Sequence, residues 1–179
     1  MKAALASHPW RFNRWQNSLA PFSGDDRDLM LFMLTARWAD DIRSKDRTEH
    51  RGPWHYINLP FKPDGQPDNI QVKPAGTPNV LTALADNRKI AATDPDATKK
   101  AIALSWLFHL VGDVHQPLHT SRLFSLDYHG GDEGGNQICI RTKRTNEPIA
   151  LPQVLGLCHY IERAPNGSSK PCHCVEKQA

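Results

Sequence analysis

A mainly helical domain threaded by long loops is what this sequence predicts, and three features carry the expectation. One is the apolar run Leu29–Leu34, set in a segment that opens with acidic residues. Another is Ala101–Val111, apolar nearly all round and preceded by Asp94-Pro95, the pattern of a buried central helix with a helix-starting proline. The third is the stretch 52–76, rich in Pro and Gly, which breaks both helix and strand. At 179 residues, with 39% hydrophobic and 23% charged side chains, the chain is long enough for one globular domain with a real core.

The elements follow in order. A first helix starts after Ser23, with Asp26 three residues on as in a capping box, and runs to about Ser44. Within the loop 52–76 an extended piece spans Trp54–Leu59, set before Pro60, because a residue preceding proline is pushed toward extended backbone. A shorter helix covers Asn79–Ala92. The second strong helix takes Asp94 as N-cap and Pro95 as its first residue, and continues to about Gln116. Pro117 ends or kinks it, since the ring clashes with the carbonyl four residues back. Gly130–Asn136 is a Gly-rich turn, and the alternation Gln137-Ile138-Cys139-Ile140 reads as a short strand. From Leu151 onward the periodicity collapses. The expected organisation is thus a domain over 1–150 and an unpatterned tail over 151–179.

Composition removes several classes of function. The formal net charge of +3 is compatible with a polyanionic partner but too small to argue for one. No apolar run approaches the ~20 residues that span a bilayer. The apolar start Ala3–Ala6 is cut short by His8, Trp10 and Arg11, so no signal peptide is read in this chain. Cys158, Cys172 and Cys174 lie beside His159 and His173 in the tail without zinc-knuckle spacing. An irregular or disulfide-linked tail accounts for them better.

The second strong helix carries chemistry. His109 and Asp113 stand four residues apart, which places both side chains on one helix face. An ionised Asp on a buried helix needs a partner or a metal, and a structural His–Asp hydrogen bond would satisfy it. Two further histidines, His115 and His119, flank Pro117 and shift the balance toward metal. Pro117 throws His119 out of register, so it suits a neighbouring ion; His115 points elsewhere, to packing or to the support of a ligand.

The first strong helix ends Trp38-Ala39-Asp40-Asp41-Ile42-Arg43. Carboxylates at a helix C-terminus oppose the macrodipole. A solvated end with Arg43 paired to Asp40 or Asp41 is one explanation; a carboxylate ligand with Arg43 as a phosphate clamp is the other. With His55, taken from Trp54-His55-Tyr56-Ile57-Asn58, these residues assemble as Asp40, His55, His109 and Asp113. Two nitrogens and two oxygens form a plausible zinc set.

The series W-A-D-D-I-R, W-H-Y-I-N, H-L-V-G-D-V-H-Q-P-L-H and G-D-E-G-G-N, in that order and spacing, resembles the zinc-dependent single-strand-specific nucleases of fungi and plants. Bacterial zinc phospholipase C is a distant relative of that family. The resemblance covers roughly residues 25–145. It implies a helical phospholipase C-like or zinc nuclease-like fold with long loops and a small β-hairpin, incomplete here. It also implies three zinc ions: Asp40, His55, His109 and Asp113 match the ligands of the first, Asp113 also bridges to a second, and His119 matches one ligand of the third. Arg43 matches the arginine on the scissile phosphate, and Tyr56, Asn58 and Asn136 match the base pocket. The implied reaction is hydrolysis of a P–O3′ bond in single-stranded DNA or RNA to 5′-nucleotides, with 3′-nucleotidase activity in some members, and Asp40 orienting the attacking water. Secretion or a periplasmic location is implied by the family alone, and no protein partner is implied.

The sequence also departs from the family pattern. Members begin with a Trp that binds zinc and a His five residues on, whereas Trp10 here is followed at that distance by Trp15. Downstream, where the family places a His and an Asp for the third zinc, this chain has Leu151–Gly156. It therefore reads as truncated at both ends, with one complete zinc site. The expectations are about one tightly held zinc and weak or no cleavage. A phospholipase C-like esterase and a degenerate, non-catalytic metal-binding domain are the alternatives.

Overall fold

The computed structural model describes residues 2–45, 47–140 and 149–151; the tail beyond Leu151, with its three cysteines, lies outside the described residues. The described chain is mainly helical, as the sequence predicts. Its elements in order are α1 (Lys2–Leu5), α2 (Trp10–Asn13), α3 (Gln16–Leu19), α4 (Gly24–Lys45), a 3-10 turn (Gly52–His55), β1 (Leu59–Phe61), α5 (Val80–Thr93), α6 (Ala97–Val114), α7 (Pro117–Thr120), β2 (Ser121–Leu123), β3 (Cys139–Ile140) and β4 (Ile149–Ala150). Contacts divide the chain into two units, one of 1–56 with 77–115 and one of 57–76 with 116–179.

In the first unit α6 is the centre, packed against α4, α5 and α1. Its Ala101, Ala103, Trp106 and Leu110 are buried, and α4 meets them with Leu31, Trp38, Ala39 and Ile42. α5 forms where expected, because Asn79 accepts from the backbone N–H of Leu81 and Thr82 while Thr82 Oγ1 accepts from the Asn79 N–H. That reciprocal box satisfies donors the first turn would otherwise leave bare. α6 starts two residues later than the sequence suggests. Asp96, not Asp94, is the N-cap, accepting from Thr98 and Lys99; Asp94 instead closes α5 and accepts from the Asp96 N–H. The capping box expected at α4 does not form: among the described residues neither Ser23 nor Asp26 makes a side-chain hydrogen bond. Acidic residues in its first turn still complement the helix dipole.

The extended piece expected at Trp54–Leu59 is a correction. Pro53 occupies an early position of a 3-10 turn that runs to His55, and extended backbone starts at Tyr56. Proline is at home in a first turn, where no N–H is needed. α6 ends at Val114, and Pro117 opens α7, with Gln116 as its N-cap accepting from the Leu118 N–H.

In the second unit β1 pairs in parallel with β2, Leu59 opposite Ser121 and Phe61 opposite Leu123. The pair is extended by Ile57 N–H to the His119 carbonyl and Phe124 N–H to the Phe61 carbonyl, each 2.8 Å. Nothing in three-residue strands announces such pairing in a sequence. β3 and β4 are antiparallel, Cys139 opposite Ala150, consistent with the small β-hairpin expected from the resemblance. The Gly-rich turn is held by Asp132, buried at 4% exposure. Its carboxylate accepts from Leu123, Gly134 and Gly135 backbone N–H groups. Gly134 has φ +64°, and a Cβ there would collide with the Leu118 carbonyl oxygen, so only glycine fits.

Candidate metal centre

The helix face predicted for His109 and Asp113 exists, and it meets the 3-10 turn. His109 Nε2 lies 3.2 Å from Asp113 Oδ2. His55 Nδ1 lies 3.1 Å from the same oxygen and 2.9 Å from His109 Nε2. Asp40, near the end of α4, brings Oδ1 to 3.7 Å from His109 Nε2. Asp40, His55 and His109 each offer a donor atom within 4.8 Å of the others. All four residues belong to the first unit.

The proton inventory of this cluster is short. His109 Nδ1 is 2.8 Å from the Ala36 carbonyl, which only accepts, so that nitrogen carries the proton and a neutral ring turns a lone pair on Nε2 inward. Facing that lone pair are two carboxylate oxygens and one nitrogen of His55. The single proton His55 Nδ1 could donate cannot serve Asp113 and His109 together. Converging acceptors of this kind call for a cation.

The residues also fit the metal the sequence suggests. Donors about 2.0–2.1 Å from a tetrahedral zinc stand roughly 3.3 Å apart; the contacts given above run from 2.9 to 3.7 Å, and Asp40, His55 and His109 all lie within 4.8 Å of one another. The second hydrogen bond of His109, to Ala36, is of the type that fixes a ligating imidazole. Trp106 lies edge-on to the His55 ring at 5.4 Å, in turn packed against Trp38 and Trp54, so an apolar wall fixes His55 on its other side.

Charge follows from this geometry. Burial of Asp113 works to raise its pKa, but hydrogen bonds from His109 and His55 and their charges outweigh it and hold it at about 2. Burial likewise works to lower the pKa of His109. The hydrogen bond and charge of Asp113, with Asp40 and the Ala36 carbonyl, reverse this and leave it raised. The cluster therefore keeps a positive charge near its carboxylates by whatever means is available, proton or metal.

The remaining predicted residues are placed as follows. Arg43 is half-buried on α4, three residues beyond Asp40. Tyr56 follows His55, its carbonyl accepting from the Val80 N–H. Asn58, His119 and Asn136 belong to the second unit. His119 sits in α7 and is half-buried. Asn136 closes the Asp132 turn, its Nδ2 donating to the Glu133 carbonyl at 2.7 Å. His115 is exposed, bonded to the Val111 carbonyl, so it points away from the cluster as expected but does not pack.

Two residues escaped the sequence. His50 has its pKa lowered by burial and then by the charges of His55, Arg43, Arg47 and Arg51, which marks a cationic rim beside the cluster. Its only sequence signal was the spacing of those arginines. Asp132 was passed over as a turn residue, although an Asp ahead of paired glycines is a common means of pinning a turn.

A mainly helical fold whose central helix delivers His and Asp to a carboxylate–imidazole cluster defines a class of helical proteins with a candidate metal-binding group. Comparison with known sequences gives the particular member. The family model described as "S1/P1 Nuclease" matches residues 16–151. Nuclease S1 of Aspergillus oryzae (strain ATCC 42149 / RIB 40) is 28% identical over 116 residues, covering 64% of this chain and 37% of its own length. Endonuclease 2 of Arabidopsis thaliana is 31% identical over 119 residues, 61% of this chain and 38% of its own. Endonuclease 4 of the same plant is 50% identical over 42 residues, 24% of this chain and 12% of its own. The chain belongs to the S1/P1 nuclease family, and it spans less than two fifths of the length of these relatives.

Proposed function

We propose that this protein is a zinc-dependent nuclease that hydrolyses phosphodiester bonds of single-stranded DNA or RNA to 5′-nucleotides. The observation that carries the reading is the convergence of His55 Nδ1, His109 Nε2 and Asp113 Oδ2 within 2.9–3.2 Å of one another, with Asp40 alongside. Asp40, His55, His109 and Asp113 hold one zinc. Bound there, the metal supplies Lewis acidity and a nucleophile from water at neutral pH.

The chain's own residues do the rest. Asp40 orients the attacking water toward phosphorus. Arg43 places two donors on the scissile phosphate and offsets its growing charge, in a region already cationic from Arg47 and Arg51. Tyr56, Asn58 and Asn136 take the base, which must leave its stack to be held and so favours single strands. His119 would serve a further ion but alone would hold one poorly. The described residues complete one donor set, so about one zinc per chain and slow turnover are expected. By the same family reading the protein acts outside the cytoplasm.

The test combines zinc content with cleavage of a labelled single-stranded oligonucleotide in the presence of zinc. Zinc-dependent cleavage that His109→Ala abolishes is the expected result. Cleavage unaffected by His109→Ala and by Asp113→Asn would remove the cluster from the reaction. Hydrolysis of phosphatidylcholine in place of oligonucleotide would move the protein to the phospholipase branch.

A further inference from the structure

A quarter turn round α4 from the metal centre lies a cavity of about 370 Å³ between α2, α3 and α4. Its walls carry Trp10, Arg14, Ser18, Arg37, Asp41 and Lys45. Three cations face one carboxylate. Arg37 and Lys45 share Asp41, at 3.0 and 3.8 Å. The Arg14 guanidinium stacks over the Trp10 indole at 4.8 Å and has no carboxylate partner among the described residues. A stacked guanidinium keeps its edge donors free in a fixed plane, which suits an oxyanion.

We propose that this cavity binds a backbone phosphate of single-stranded nucleic acid outside the metal centre, with Arg14 as its principal contact. The inference rests on the nucleic-acid reading above and says where the strand runs. α4 gives consecutive residues to the two places, Asp40 to the metal cluster and Asp41 to the cavity. Successive residues of a helix advance about 1.5 Å and turn about 100°, so the two sites share one level of α4. A strand with one phosphate at the metal centre has further phosphates to lay round the helix into the cavity.

The indoles shape the kind of recognition. Trp10 and Trp15 are only 4% and 3% exposed, so they wall the cavity and offer no open face on which a base could stack. Contact is therefore with the phosphate, and binding at this site is indifferent to base sequence. Asp41 pairs with both Arg37 and Lys45 and limits the site to one phosphate, since a second would meet its carboxylate.

The experiment measures binding of fluorescent oligo-dT and oligo-dA to the full chain in EDTA, by anisotropy across a salt series, so that cleavage plays no part. Both oligonucleotides should bind alike. Arg14→Ala should weaken binding about threefold to tenfold at low salt and flatten the slope of log affinity against log salt by about 0.7, the share of one phosphate contact on a single strand. Arg14 is exposed, so this variant should fold, as thermal unfolding will check; Arg37→Ala carries the same test if it does not. Zinc content should be the same in Arg14→Ala as in the wild type. Absence of binding in EDTA, unchanged affinity and slope in the variant, or equal displacement by polyglutamate would each overturn the proposal. Failure of the nuclease reading shows differently, as binding in EDTA without cleavage when zinc is supplied.

Discussion

His8 and His109 are two half-hidden or hidden imidazoles of the same unit, and their surroundings drive them in opposite directions. His8, at 1% exposure, lies stacked on Trp15 at 4.5 Å and edge-on to Trp38 at 5.1 Å. Its Nδ1 accepts from the Trp10 N–H at 3.1 Å, and its Nε2 is buried without a partner among the described residues. Burial pushes its pKa down to about 4. His109 is half-buried, but two carboxylates and a carbonyl overcome the effect of burial and raise its pKa. Enclosure by indoles makes a histidine a neutral packing element. Enclosure by acceptors makes one a seat for a cation, and that distinction separates the aromatic cluster from the metal centre.

The largest expected effect comes from breaking the second environment. Replacing His109 by Ala removes a ligand and leaves Asp113 and His55, 3.1 Å apart, without the second imidazole. Loss of a supporting residue alone costs 10–100-fold in metal affinity, so zinc affinity should fall by more than about a hundredfold, read by chelator competition. Unchanged affinity would place the metal elsewhere.

A large effect should also come from acid acting on the first environment. His8 has a folded pKa of about 4 against an ordinary value of 6.5. Between those values the unfolded chain binds a proton that the folded chain refuses, so stability falls as pH drops from about 6.5 to 4. The full difference is about 3 kcal/mol, measurable by urea unfolding of the metal-free protein. His8→Phe should flatten that dependence while costing about 1 kcal/mol at neutral pH for the lost hydrogen bond. A slope unaltered by the substitution would assign the acid sensitivity to another group.

The metal-free cluster should titrate with the opposite sign at His109. Its raised pKa contributes stability that is complete below pH 6.5 and is lost as pH rises through the folded value. Asp113, held at about 2, contributes stability above about pH 3.8 that is lost as pH falls toward 2. Zinc displaces the imidazole proton, so its apparent affinity should weaken as pH falls. At the small end, His115→Ala should change stability by less than about 0.5 kcal/mol and leave zinc affinity alone, because the ring is exposed.

The contrast also marks how much the sequence could tell. His109 and Asp113 were legible because helix periodicity alone aligns residues four apart. His55 and Asp40 arrive from other elements, so no periodicity ties them to that pair; donor chemistry suggested the set of four and the resemblance supported it. α4 and α5 were legible from their apolar runs and, at α5, from Asn79. The start of α6 was misplaced because Asp94 and Asp96 are equally good caps, and only the course of the chain leaving α5 selects the second. The 3-10 turn was read as extended because Pro53 and Pro60 restrict their neighbours in both conformations. The burial of His8 could not be foreseen: it depends on Trp38, thirty residues away on α4, closing over it. Asp132 was in plain sight, but its three backbone donors come from β2 and from the turn itself, a fold-level arrangement.

The central claim is that Asp40, His55, His109 and Asp113 form a zinc centre and are not merely a buried hydrogen-bond network. Zinc per chain, measured by mass spectrometry after dialysis against a weak chelator, tests it most directly across wild type, His109→Ala and His115→Ala. About one zinc in the wild type and in His115→Ala, with none in His109→Ala, is the predicted result. A wild-type protein without zinc, or a His109→Ala protein that keeps it, would contradict the account.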